Sequence, residues 1–104
     1  MRSDYYSPNK FIKGPIDIKL LSLANKIKCI DVLLVIWLQS SMEKSLKVHL
    51  KPSLFELMGV ERTKRYRAIK KLESAGIIIV LENRIGRACT VELVREKLGA
   101  FLPF

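Results

Sequence analysis

Between Glu61 and Lys71 the chain places Arg62, Lys64, Arg65, Arg67, Lys70 and Lys71, six cations in eleven residues, with Thr63 and Tyr66 among them. As a set these side chains do no covalent chemistry; they hold anions. Guanidinium groups bind phosphate oxygens or a guanine edge in bidentate fashion, ammonium groups neutralise phosphates, and hydroxyls add directional hydrogen bonds. The segment then turns apolar at Gly76-Ile77-Ile78-Ile79-Val80.

At about 100° per residue, positions 61–75 form a helix with Ala68, Ile69 and Leu72 on the core side. Thr63, Arg67 and Lys70 fall on the opposite side, flanked by Lys64, Tyr66 and Lys71. The acids within the helix, Glu61 and Glu73, stand at its two ends, so the middle is left repulsive. Such repulsion costs a few tenths of a kcal/mol per pair, and an external polyanion is its simplest explanation. Arg65 falls on the core side, where its methylene stem is expected to pack while its head reaches outward.

Other chemistries find no support. His49 is the only histidine and stands in no catalytic arrangement with Ser, Cys or Asp. The five glycines are isolated, so there is no phosphate-cradling loop. No metal-ligand spacing occurs, and Cys29 and Cys89, the two cysteines, form no CxxC. The sequence therefore predicts neither catalytic nor metal-binding residues, no cofactor and no small-molecule substrate. Two widely separated thiols in apolar settings suit a reducing cytoplasm better than a disulfide framework.

The elements that must position the charged helix read as follows. Residues 1–15 form a polar arm closed by Gly14-Pro15, with no apolar stretch suited to a secretion signal. Asp17 is placed to cap a first helix over 17–27, and a second, apolar on nearly every side, spans 30–43. That second helix must be buried all round, in the core or at a subunit seam, and Trp37 is assigned to the core. SLKVHL at 45–50 alternates as a half-buried strand. Pro52 opens a short helix over 52–58 that ends at Gly59. After the basic helix and Gly76 come a strand over 77–82, a turn at 83–86 and a strand over 88–93.

In SLFELMGVERTKRYRAIKKLESAGIIIVLENRIGRACTVEL, this order and the residues Leu72, Glu73, Gly76, Ile78, Gly86 and Arg87 resemble the winged helix-turn-helix family of DNA-binding proteins. The resemblance covers about residues 46–94. It implies an α+β fold, helices plus a small antiparallel sheet with a β-hairpin wing, in which 61–75 is the recognition helix and 77–93 the wing. Its expected DNA contacts are Arg62, Thr63, Lys64, Tyr66, Arg67, Lys70 and Lys71 on the helix, with Arg84 and Arg87 at the hairpin tip.

With 104 residues and a formal net charge of +9, the chain is expected to be one domain over 16–94 that binds a polyanion, double-stranded DNA first. The expected role is a small transcriptional regulator, or a replication or maintenance accessory of a mobile element. The alternative is a winged-helix protein-interaction module, recognisable by an exposed apolar patch on the recognition helix. Membrane-surface binding ranks third, because the apolar side of the basic helix is needed for the core. The longest apolar run, Val32 to Leu38, is too short to span a bilayer. The tail, residues 95–104, is expected to pack on its own domain, with a second copy as the alternative. The domain is expected already to bury Ile69, Leu72 and the whole Ile77–Leu81 strand, so the further apolar surface of Val32–Leu38 and of the tail, with Leu98, Phe101, Leu102 and Phe104, predicts a two-fold homodimer.

Overall fold

The computed structural model describes residues 15–82, 89–99 and 101–104. Asp17 begins the fold: its carboxylate accepts from the Lys19 amide at 2.8 Å and caps α1 (Ile18–Lys26). Leu20 and Ala24 turn that helix inward. After a three-residue corner comes α2 (Ile30–Glu43), which buries every residue from Val35 to Ser40 as well as Val32 and Leu33. Helix α2 is thus the core helix, and Trp37 is fully buried within it.

The other elements surround it. They are β1 (Lys47–His49), α3 (Pro52–Leu57), α4 (Arg62–Ser74), β2 (Ile78–Glu82) and β3 (Thr90–Leu93). Helices α1, α3 and α4 and strand β1 all touch α2. The strands form one antiparallel sheet in the order β1-β3-β2, with Val91 opposite both Val48 and Val80 and with Leu93 opposite Ile78. The architecture is therefore α+β with a small three-stranded antiparallel sheet, as the periodicities indicate. The expected element ends differ by a residue or two because residues such as Asp17, Ile27, Met58, Glu61 and Ala75 are caps.

Glycine stops act where the sequence puts them. Gly76, at φ +79°, follows α4; its amide bonds to the Glu73 carbonyl at 3.0 Å and the Ile77 amide to that of Leu72 at 3.0 Å. This left-handed C-terminal motif turns the chain straight from helix into sheet. Gly59 ends α3 in the same way, and the buried Val60 pins the turn into α4.

Two features were not foreseen. Gln39 is buried; its Oε1 accepts from the Lys51 amide at 3.1 Å and its Nε2 donates to Glu43 at 2.6 Å, which ties the entrance of α3 to α2. Glu43 also lies 3.4 Å from Nδ1 of His49, which is exposed on β1. The expectation that the whole Ile77–Leu81 strand is buried needs correction. Ile77 and Ile78 are buried, but the alternation of β2 leaves Ile79 and Leu81 exposed on the outer face of the sheet.

The tail divides similarly. A 3-10 turn, Arg95–Lys97, delivers Leu98 into the same core as α2, and Pro103 is also buried, whereas Phe101 and Phe104 are exposed. Gly99, at φ +78°, lies so close to Asp17 that a Cβ there would collide with the carboxylate. Leu98→Ala should therefore cost about 2–5 kcal/mol, and Phe104→Ala less than about 0.5 kcal/mol. Urea denaturation of the two variants checks the contrast.

Candidate nucleic-acid interface

Helix α4 is held by one side only. Ala68, Ile69 and Leu72 are buried against the core, while Arg62, Thr63, Lys64, Tyr66, Arg67, Lys70 and Lys71 are all exposed. The structure thus brings all seven helical residues of the expected contact set onto one element, facing away from the core. Arg84 and Arg87 lie outside the described residues. Burial of three apolar side chains stabilises the helix by several kcal/mol, more than the roughly 1 kcal/mol lost to a few like-charged neighbours on its outer side.

Local contacts shape this face. The Arg62 guanidinium lies 6.0 Å from the centroid of the Tyr66 ring, one helical turn away, at the outer limit for a cation–π contact. Lys64 is not unpaired, contrary to the expectation of an uncompensated middle: its Nζ meets the Asp31 carboxylate at 2.6 Å. Asp31 comes from the first turn of α2 and also accepts from the Val32 amide at 2.8 Å. A charge pattern confined to α4 could not show this partner, thirty-odd residues earlier in the chain.

The Asp31 hydrogen bond, followed by the Coulomb attraction of the same carboxylate, raises the Lys64 ammonium above its ordinary pKa of 10.5. Lys64 is exposed and Asp31 half-buried, and the pair contributes little at neutral pH. What it contributes is complete below pH 10.5 and is lost as pH rises through the raised value.

Arg65 is half-buried: its guanidinium lies 4.7 Å from the centroid of the buried Phe55 ring, and its Nε is buried without a hydrogen-bond partner. Arg65 is thereby committed to the α3–α4 junction.

The site also extends beyond α4. The corner between α1 and α2 sets Lys28 and Cys29 beside Lys64, Arg67, Ala68 and Lys71 around a cleft of about 160 Å³. On the other side of Lys28 a wider, open depression of about 530 Å³ is lined by Lys26, Ile27, Lys71, Ser74 and Ala75. Sequence reasoning missed Lys26 and Lys28, whose one sequence signal is that they fall at a helix end, where lysines also serve simply to offset the helix dipole.

The Cys29 thiol is buried and lies 3.7 Å from the Ala68 carbonyl. Burial pushes its pKa up, against the opposing fields of Lys71 and Lys64. Cys89 is raised mainly by burial as well, and both thiols are free.

Among the described residues no group of His, Cys, Asp and Glu stands together to hold a metal ion, and no helix is long and apolar enough to cross a membrane. Comparison with models of known families, with curated proteins and with solved structures gave no significant match.

Two tests follow from these contacts. Arg65→Met should stabilise the fold by about 1 kcal/mol, because relief of an orphaned buried donor outweighs the lost cation–π contact; chemical denaturation measures it. In thermal melts, the stability difference between wild type and Asp31→Asn should hold steady from neutral pH to near 10 and shrink above 10.5.

Proposed function

We propose that this chain is a winged helix-turn-helix protein that binds double-stranded DNA by laying α4 in the major groove. The observation carrying this reading is the division of labour on α4: Ala68, Ile69 and Leu72 anchor it, while Arg62, Thr63, Tyr66, Arg67, Lys70 and Lys71 stand exposed with no need for them in the core. A B-DNA major groove admits one such helix. Support also comes from the order α2-β1-α3-α4-β2-β3 and the sheet order β1-β3-β2, in which α3 and α4 form the helix-turn-helix and β2 and β3 the stem of the wing.

In this reading Arg67 and Thr63 read base edges, Lys70, Lys71 and Lys64 contact phosphates, and Arg62 and Tyr66 border the groove. Arg84 and Arg87, in the segment joining β2 to β3, add phosphate or minor-groove contacts. The setting is the cytoplasm, and the role is transcriptional regulation, or replication or maintenance of a mobile element.

A second reading, docking of another protein, has one observation in its favour: Leu57 and Met58 at the end of α3 are exposed. On α4 itself the one large apolar side chain exposed is Tyr66, so the charged face favours DNA. The apolar surplus behind the expected homodimer is much reduced, because Val32, Leu33, Val35, Ile36, Trp37, Leu38 and Leu98 are consumed within one chain. Pairing of two copies would draw on side chains such as Ile79, Leu81, Phe101 and Phe104.

Binding of duplex DNA should show a slope of about −5 in log K against log salt, for five or six neutralised phosphates. Arg67→Ala should lose roughly 1–3 kcal/mol of affinity and relax preference at one base pair. Fluorescence anisotropy with randomised and selected duplexes measures both. A salt-independent profile, or saturable binding of protein partners through Leu57 and Met58 with none to DNA, would favour the second reading.

A further inference from the structure

Helices α1, α3 and α4 all end in the same backbone motif. At the left-handed position α3 has Gly59 at φ +72° and α4 has Gly76 at φ +79°, but α1 has Lys28 at φ +59°; α2 also ends on a left-handed lysine, Lys44 at φ +54°, which does not line the cleft beside α4. The hydrogen bonds match: the Lys28 amide bonds to the Asn25 carbonyl at 3.0 Å and the Cys29 amide to the Ala24 carbonyl at 2.8 Å. A lysine there is strained relative to glycine, which has no Cβ to clash.

The strain places Lys28 on the rim of the cleft that Arg67 and Lys71 border from α4. A cation so placed adds repulsion to backbone strain. Lys64, on the same rim, is drawn to Asp31, while Lys28, Arg67 and Lys71 have no acidic partner among the described residues. At about 160 Å³ the cleft exceeds the roughly 30 Å³ share of one water. Two unfavourable choices at one residue are offset together if an anion occupies the space between the three cations.

We propose that the cleft between the α1–α2 corner and α4 holds a backbone phosphate of duplex DNA, bound by Lys28, Arg67 and Lys71. This rests on the DNA-binding reading and extends its footprint from the groove onto the flanking backbone. Arg67 stands at the boundary, and a phosphate seated beside it fixes how far α4 enters the groove. The contact carries no base information, so its effect is uniform across sequences.

The test is Lys28→Gly, which relieves the strain while it removes the charge. The variant should melt at the wild-type temperature or higher, yet bind duplex about eightfold more weakly at 0.1 M salt than wild type, with the salt slope shallower by about 1. Phosphate-ethylation interference should lose one backbone position, with the base-pair preference unchanged.

Wild-type affinity, slope and interference in Lys28→Gly would overturn the phosphate site, and loss of binding in Arg67→Ala alongside would leave the groove reading standing. No binding of wild type to any duplex would overturn both. Titration with inorganic phosphate distinguishes the remaining source: Lys28-dependent binding of free phosphate with DNA binding unaltered would reassign the cleft to a soluble anion and overturn the proposal.

Discussion

Burial of α2 on every side is the constraint that the rest of the molecule obeys. Val32, Leu33, Val35, Ile36, Trp37 and Leu38 are all in the core, and at about 1.5–3 kcal/mol each their burial is worth on the order of 10 kcal/mol. That is the scale of a small domain's whole net stability. No single neighbour can cover a helix with no polar side, so α1, α3, α4 and β1 must each present an apolar stripe to it. Helix α4 supplies Ala68, Ile69 and Leu72. Its outer positions are thereby released from duty in the core, and cations fill most of them.

The placement of acids and bases has a consistent logic around that helix. Asp31 opens α2, satisfies the Val32 amide and draws Lys64 toward the α2 end. Arg65, which faces inward, lies against Phe55 and belongs to the fold. The cations that remain, Arg62, Arg67, Lys70 and Lys71 on α4 and Lys28 at the α1–α2 corner, form an exposed positive surface made by two parts of the chain. A surface of this kind concentrates a polyanion and accelerates its arrival, at a rate that depends on salt.

Local order was plain in the sequence wherever a single residue type carries a local cause. Asp17 caps, Pro52 opens a first turn, Gly59 and Gly76 take left-handed conformations, and the threefold-to-fourfold spacing of Ala68, Ile69 and Leu72 orients α4. What the sequence did not disclose depends on contacts between distant segments. Lys64 meets Asp31, Gln39 meets Lys51, and Lys28 stands beside Lys71, none of which follows from helical spacing. Arg65 packs over the Phe55 ring of α3, a partner that the spacing within α4 does not reveal. Ile79 and Leu81 were misread because a continuous apolar run hides the strand's alternation.

The most direct test of DNA binding through α4 is residue-resolved: amide NMR of the labelled protein titrated with a short duplex at low salt. Shifts should concentrate at Arg62, Thr63, Tyr66, Arg67, Lys70 and Lys71, with Lys28 moving in step and Ile79, Leu81 and Phe104 still. Shifts confined to Leu57 and Met58 or to the outer sheet, or none at all up to excess duplex, would contradict it.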